Sequence, residues 1–125
     1  MSTTVKVGDR VSVADMACAF SQWLDGTYPP DLDPEAWMRR RVTKVCEEAG
    51  EVHEAVGALW GENPRKDRGT VEEVIKELAD CAGAALGAIE HLTGHEGRSL
   101  DIVTERVRQV CERAGVTPAA GGDGA

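Results

Sequence analysis

Five carboxylates stand at spacings that suit metal chemistry. Glu47, Glu48 and Glu51 fall inside KVCEEAGEVHEAV, residues 44–56, and Glu77 and Asp80 inside ELAD, residues 77–80. Residues three apart share one face of a helix, so Glu48/Glu51 and Glu77/Asp80 are two matching pairs. If two neighbouring antiparallel helices bring the pairs together, mutual repulsion raises their pKa values or calls for divalent cations. Hard oxygen ligands without imidazole or thiolate suit Mg²⁺ or Mn²⁺.

Asp80 sharpens the case, because it is the single charged residue in LADCAGAALGAI, residues 78–89. A helix apolar on every side is expected to be buried on every side, and an ionised carboxylate there needs a partner. That partner is either a cation at the acid cluster or a basic side chain among Arg39, Arg40, Arg41 and Lys44. Arg41, Lys44, Glu48 and Glu51 form one row along a helix. Lys44 thus has two readings, a phosphate contact or an ion pair with Glu48. Glu47 and Glu54 point outward. His53, His91 and His95 are not preceded by glutamate three residues earlier, which argues against a bundle di-iron centre.

The elements that position these residues read as helices. Ser12 with Asp15 opens a short helix that ends at Gly26. Asp33 followed by Pro34 starts a second, which meets no breaker until Gly61. Thr70 with Glu73 forms a capping box for a third that runs to about Leu92. Ser99 is expected to cap a fourth, with Leu100, Val103, Val107, Val110 and Ala114 as its apolar stripe. Alternating steps of four and three residues link Met38, Val42, Val45, Ala49, Val52, Val56 and Leu59. They also link Val71, Ile75, Leu78, Ala82, Ala85, Ile89 and Leu92. These seams predict an antiparallel hairpin of the second and third helices at the heart of an all-α bundle of about four helices. Glycines in both helices away from these seams suit close approach of another helix, in part from a second subunit.

The chain has 125 residues, which fits one domain over 1–115 followed by a disordered tail at 116–125. A formal charge of -8 disfavours nucleic acid and anionic membranes as partners. Four cysteines without a CxxC pair read as one small core residue per helix in a reducing cytoplasm. Neither a signal peptide nor an apolar run long enough to span a membrane is visible.

EEAGE (47–51), then 25 residues, then ELAD (77–80) resembles the EExxE…ExxD signature of the MazG-type all-α nucleoside triphosphate pyrophosphohydrolases, over about residues 37–92. One copy of the motif resembles the short single-domain members. The resemblance implies a four-helix bundle that forms homodimers or homotetramers and hydrolyses nucleotides to the monophosphate and pyrophosphate. It implies Glu48, Glu51, Glu77 and Asp80 as Mg²⁺ ligands, with Glu47 as an extra acid that orients or deprotonates water, so Glu47 and Glu48 are the candidate catalytic pair. The superfamily also includes enzymes acting on phosphoribosyl-ATP. Lys44 and Arg41 are candidates to contact phosphate, and Arg65, Lys66 and Arg68 form a basic loop that either folds over a triphosphate or is simply solvated. Trp37 and Trp60 either stack a nucleobase or fill core. The alternative to an enzyme is a non-catalytic helical assembly or binding module whose acids form surface rows.

Overall fold

The computed structural model describes residues 11–65 and 67–119. They form four helices and no strand: α1 (Val13–Asp25), α2 (Pro34–Leu59), α3 (Val71–Leu92) and α4 (Ser99–Ala114). Three of the starts follow from local chemistry. Ser12 Oγ accepts the Asp15 amide at 3.0 Å, Asp33 Oδ2 accepts that of Ala36 at 3.3 Å with Pro34 at the first helical position, and Thr70 Oγ1 accepts that of Glu73 at 3.2 Å. The fourth differs from expectation. Ser99 is the first residue of α4 and does not cap it; its amide is satisfied by the buried Glu90, whose carboxylate takes Gly97 N and Ser99 N at 2.9 Å each. The Glu90 carboxyl is pushed up by burial, but these hydrogen bonds outweigh that and hold it below its ordinary value.

The hairpin of α2 and α3 is the principal packing unit, and α3 is the hub, since it alone touches all three other helices. Backbones of α1 and α2 never come close, nor do those of α2 and α4. The seam expected on α3 is covered only in part, at Ala85 and Ile89. Val71, Ile75, Leu78 and Leu92 are each more than half exposed, and Ala82 is exposed as well. The better-covered residues of α3 are Val74, Glu77, Cys81, Ala84 and Ala85, continuing into the buried Leu86, Gly87 and Ala88. Small side chains on this face let α3 lie close to α2 and α1 together, and the bulkier stripe is turned outward. The apolar stripe of α4 is likewise largely open, with Val107 and Val110 about half exposed. The cysteines fall one per helix, but Cys46 is exposed and the other three only partly covered, so they do not form a set of core residues. The tail expected to be disordered falls mainly on 120–125, outside the described residues.

A buried cation ties three helices together. Arg41, on α2, is 7% exposed. Its Nη1 donates to Asp25 Oδ1 at 2.5 Å, and its Nη2 donates to Ser21 Oγ at 2.8 Å and to the Gly87 carbonyl of α3 at 3.1 Å. Trp37 Nε1 donates to the same Asp25 oxygen at 2.7 Å. Partial burial pushes the Asp25 carboxyl up, but the hydrogen bonds from His91 and Trp37 and the charge of Arg41 outweigh it and hold it below its ordinary value of 3.8.

Asp25→Asn leaves a buried guanidinium without its counter-charge and is expected to cost about 3 kcal/mol or more in chemical denaturation. Since the folded carboxyl titrates below its unfolded value, the wild-type advantage is complete above pH 3.8 and disappears as the pH falls through the depressed folded value. Urea titrations of both proteins at neutral and acid pH check both statements.

Candidate metal centre

Glu48 and Glu51 lie one turn apart on α2, and Glu77 meets them from α3. Each offers a carboxylate oxygen, and the three oxygens lie within 4.8 Å of one another. Glu48 and Glu77 are mostly covered, at 13% and 22% side-chain exposure, while Glu51 opens to solvent. The charge of Glu48, then partial burial and the nearby Glu77, push the Glu51 carboxyl above its ordinary value. Glu77 Oε2 is buried and has no hydrogen-bond partner among the described residues. A buried carboxylate oxygen without a partner is costly, and Lys76 Nζ reaches only the other oxygen, Oε1, at 3.5 Å.

Asp80 is not where the sequence places it. Its side chain is 47% exposed and pairs with Lys76 Nζ at 3.0 Å, not with an arginine. The reason is that α1 stands off from α2, so the stretch of α3 around Asp80 faces an open cleft instead of a third helix. Asp80 lines that cleft together with Glu48, beside the three-glutamate cluster but outside it.

Lys44 Nζ lies 3.2 Å from Glu48 Oε1 and 3.5 Å from Glu47 Oε2, so the ion-pair reading of Lys44 holds. Glu47 itself is 61% exposed. Lys76 supplies the corresponding cation on α3, 3.5 Å from Glu77 Oε1. Arg41 lines the cleft, but both its terminal nitrogens are committed to Ser21, Asp25 and Gly87, which leaves it to hold helices instead of phosphate. Trp37 is a core residue with its ring edge-on to Tyr28. Trp60, Arg65 and Arg68 are exposed and line neither the cleft nor the cluster, and Lys66 lies outside the described residues.

A second group of potential ligands was not foreseen: Asp25, His91 and His95, at the far end of α3. Counting protons decides its nature. Ser21 Oγ has one hydrogen, which it gives to the Gly87 carbonyl at 2.9 Å, and it accepts from Arg41 Nη2. His95 Nε2 faces Ser21 Oγ at 2.9 Å and Asp25 Oδ2 at 3.2 Å, two acceptors, so it carries a proton. His91 Nδ1, 2.6 Å from Asp25 Oδ2, does the same. Both ring nitrogens are engaged by protein groups, and the Arg41 guanidinium shares the carboxylate. The network also holds His95 in the left-handed region at φ 61°, which most residues avoid. The sequence signals for it were faint: Asp25 ends an amphipathic helix, and Glu90-His91 interrupts an apolar one.

The glutamate cluster is the opposite case. It is all acceptor, with lysines only at its flanks and one oxygen orphaned, and three converging carboxylates are a fitting donor set for Mg²⁺ or Mn²⁺. No family model, curated protein or solved structure matches this chain.

Proposed function

We propose that the chain is a Mg²⁺-dependent nucleotide pyrophosphohydrolase, releasing a nucleoside monophosphate and pyrophosphate, and that it works as a homo-oligomer in the cytoplasm. The observation that carries the reading is the convergence of Glu48, Glu51 and Glu77 from two helices with the buried Glu77 oxygen left unpartnered. The EExxE…ExxD resemblance supports it from the sequence side. Glu48, Glu51 and Glu77 would hold the ion, with Asp80 available from the adjoining cleft wall.

A divalent cation bound there supplies charge neutralisation to phosphate oxygens and acidifies a water. The protein's own part is positional. Lys44, already beside the carboxylates at the cleft, is placed to exchange its ion pair with Glu48 for a phosphate oxygen. Glu47, on the outward side of the same turn, is suited to orient or accept a proton from water. Four cysteines free of disulfides suit a reducing compartment, and no helix among the described residues is long and apolar enough to cross a membrane.

The exposed rows Val71, Ile75, Leu78 on α3 and Val107, Val110 on α4 support self-association. They equally favour the second reading, a non-catalytic assembly module. Millimolar Mg²⁺ separates the two. On the enzymatic reading it raises the melting temperature by several degrees, because ligand binding to the native state alone stabilises it, and a panel of nucleoside triphosphates yields pyrophosphate. An unmoved melting temperature with no pyrophosphate from any of them leaves the assembly module.

Glu77→Gln is expected to raise the melting temperature of the metal-free protein, since it removes a charge with a buried unpartnered oxygen, and to abolish both the Mg²⁺ shift and turnover. A loss of metal-free stability in this variant would show that Glu77 is a structural residue. The raised Glu51 carboxyl gives the pH dependence its sign. A group with a folded pKa above its unfolded value contributes stability at acid pH that is lost as the pH rises through the folded value, so ionisation of Glu51 opposes folding. Protons and Mg²⁺ therefore compete, and the Mg²⁺-induced shift in melting temperature is expected to shrink as the pH falls from neutral toward the raised Glu51 value.

A further inference from the structure

Beside the glutamate cluster lies a cleft of about 650 Å³, within the range of about 300–1,000 Å³ usual for small-molecule sites. Two of its walls are the antiparallel α2 and α3, joined at the inner end by the bond from Arg41 Nη2 to the Gly87 carbonyl. Glu48 and Asp80 line the outer end, each seven residues along its helix from that bond, a rise of about 10 Å. Glu48 also belongs to the glutamate cluster, so the outer end adjoins the proposed metal site. Between the ends the surface is apolar: Met16 and Phe20 of α1 stand opposite Gly83 and Ala84 of α3.

The polar groups of this cleft are sorted by kind. Glu48 and Asp80 carry the only side-chain oxygens of the lining, and both have basic partners, Lys44 at 3.2 Å and Lys76 at 3.0 Å. The uncommitted groups are donors. Arg41 is 7% exposed and its Nη1 and Nη2 are given to Ser21, Asp25 and Gly87. Its Nε has no partner among the described residues and, unlike Glu77 Oε2 and Ser99 Oγ, is not sealed inside the protein. The Val13 amide, in the first turn of α1, is also without a partner among them, and Arg40 at the rim pairs with no carboxylate among them. Beside Arg41 the lining is Leu24, Trp37, Leu86 and Gly87; Trp37 Nε1 is spent on Asp25, and the Gly87 carbonyl already accepts from Ser21 and Arg41. A ligand reaching the inner end therefore meets a charged donor and no side-chain acceptor. A carbonyl there completes a hydrogen bond, whereas an amino group sets donor against donor.

We propose that the cleft holds the nucleobase of the bound nucleotide with its distal edge on Arg41 Nε, and so selects bases that carry a carbonyl on that edge: uracil, thymine, hypoxanthine and guanine ahead of cytosine and adenine. The inference rests on the pyrophosphohydrolase reading for the phosphate end. Charge placement favours a nucleotide as the occupant, because the outer end suits a metal-bound polyphosphate, the inner end an acceptor, and the apolar stretch between them a ring. The bonds that tie Arg41 to α1 and α3 also fix the donor that reads the base, so the site is organised before the ligand arrives.

Calorimetric titration of the full chain in millimolar Mg²⁺ tests it, with α,β-methylene analogues of dITP, dATP, dUTP and dCTP and inorganic tripolyphosphate as probes. Within each ring size the pair exchanges a carbonyl for an amino group at the distal position. The dITP analogue is expected to bind about tenfold or more tighter than the dATP analogue, and the dUTP analogue likewise against dCTP, the worth of one hydrogen bond to a charged donor. Both keto nucleotides are expected to bind more tightly than tripolyphosphate. Arg40→Gln is expected to weaken all five probes and leave the two ratios standing; ratios that collapse in this variant would move the reading to the rim and overturn the assignment to Arg41. At Gly83 an added side-chain carbon would meet nothing within 4 Å, so Gly83→Leu is expected to project into the cleft and bring the keto nucleotides down to the affinity of tripolyphosphate. Equal affinity within either pair, or a preference for the amino base, would overturn the proposal while tripolyphosphate binding keeps the phosphate site. Failure of all five probes would remove the base site and the underlying reading together. A Gly83→Leu protein that loses an oligomeric state but not nucleotide affinity would assign the cleft to a second copy of the chain, which also overturns it.

Discussion

The guanidinium of Arg41 sets the geometry on which the rest depends. A buried arginine has to place its donors on acceptors, and here they reach Ser21 and Asp25 on α1 and the Gly87 carbonyl on α3. The backbones of α1 and α2 make no close approach among the described residues, and the side-chain hydrogen bonds that join the two helices come from Arg41 and Trp37. Arg41 therefore acts as a spacer as much as a clasp. It pins the C-terminal end of α1 across the hairpin while the N-terminal part stands away from α2, and the space so held open is the cleft between Phe20 and Gly83.

Strength at one end of the hairpin is matched by strain at the other. Around Asp25 each acceptor has a donor, and the carboxyl is held below its ordinary value. Around Glu51 the neighbours are acids, and the carboxyl is pushed up. The two ends share helices but not sign: one set of charges favours the folded state when ionised and the other opposes it. An unfavourable cluster kept on the principal hairpin is what the proposed cation site calls for.

Much of this was legible in the residues. Caps at Ser12, Asp33 and Thr70 are local, governed by a side chain and an amide three positions on, so the helix starts follow from composition alone. The convergence of Glu48, Glu51 and Glu77 was legible for the same reason, because i,i+3 spacing and a short interhelical loop restrict where side chains on a hairpin meet. Asp80 was misread because the apolar run around it was assumed to be covered on all sides. Periodicity reports which face is apolar, not whether anything in the same chain covers it, and the stripe of Val71, Ile75 and Leu78 shows the difference. The Asp25 network was hidden because its members are scattered from residue 21 to residue 95 and joined only by tertiary packing.

The exposed stripes bear on how such a chain stays folded. Only Trp37, Leu86 and Ala88 are buried hydrophobic residues among those described, a small core for four helices. Hydrophobic burial scales with apolar area removed from water, and most of that area on α3 and α4 remains in water in the single chain. Leaving a row of aliphatic residues at steps of three and four exposed on two amphipathic helices is unfavourable for a monomer and favourable for a helix-on-helix contact. The proposed homo-oligomer is thus tied to the fold's own energetics as well as to the resemblance. Association would remove the uncovered rows from water while leaving the glutamate cluster, which faces the α2/α3 crevice, in its place. In that arrangement apolar area buried between subunits compensates for what the acid cluster subtracts within each one, and the centre stays charged without unfolding the hairpin that carries it.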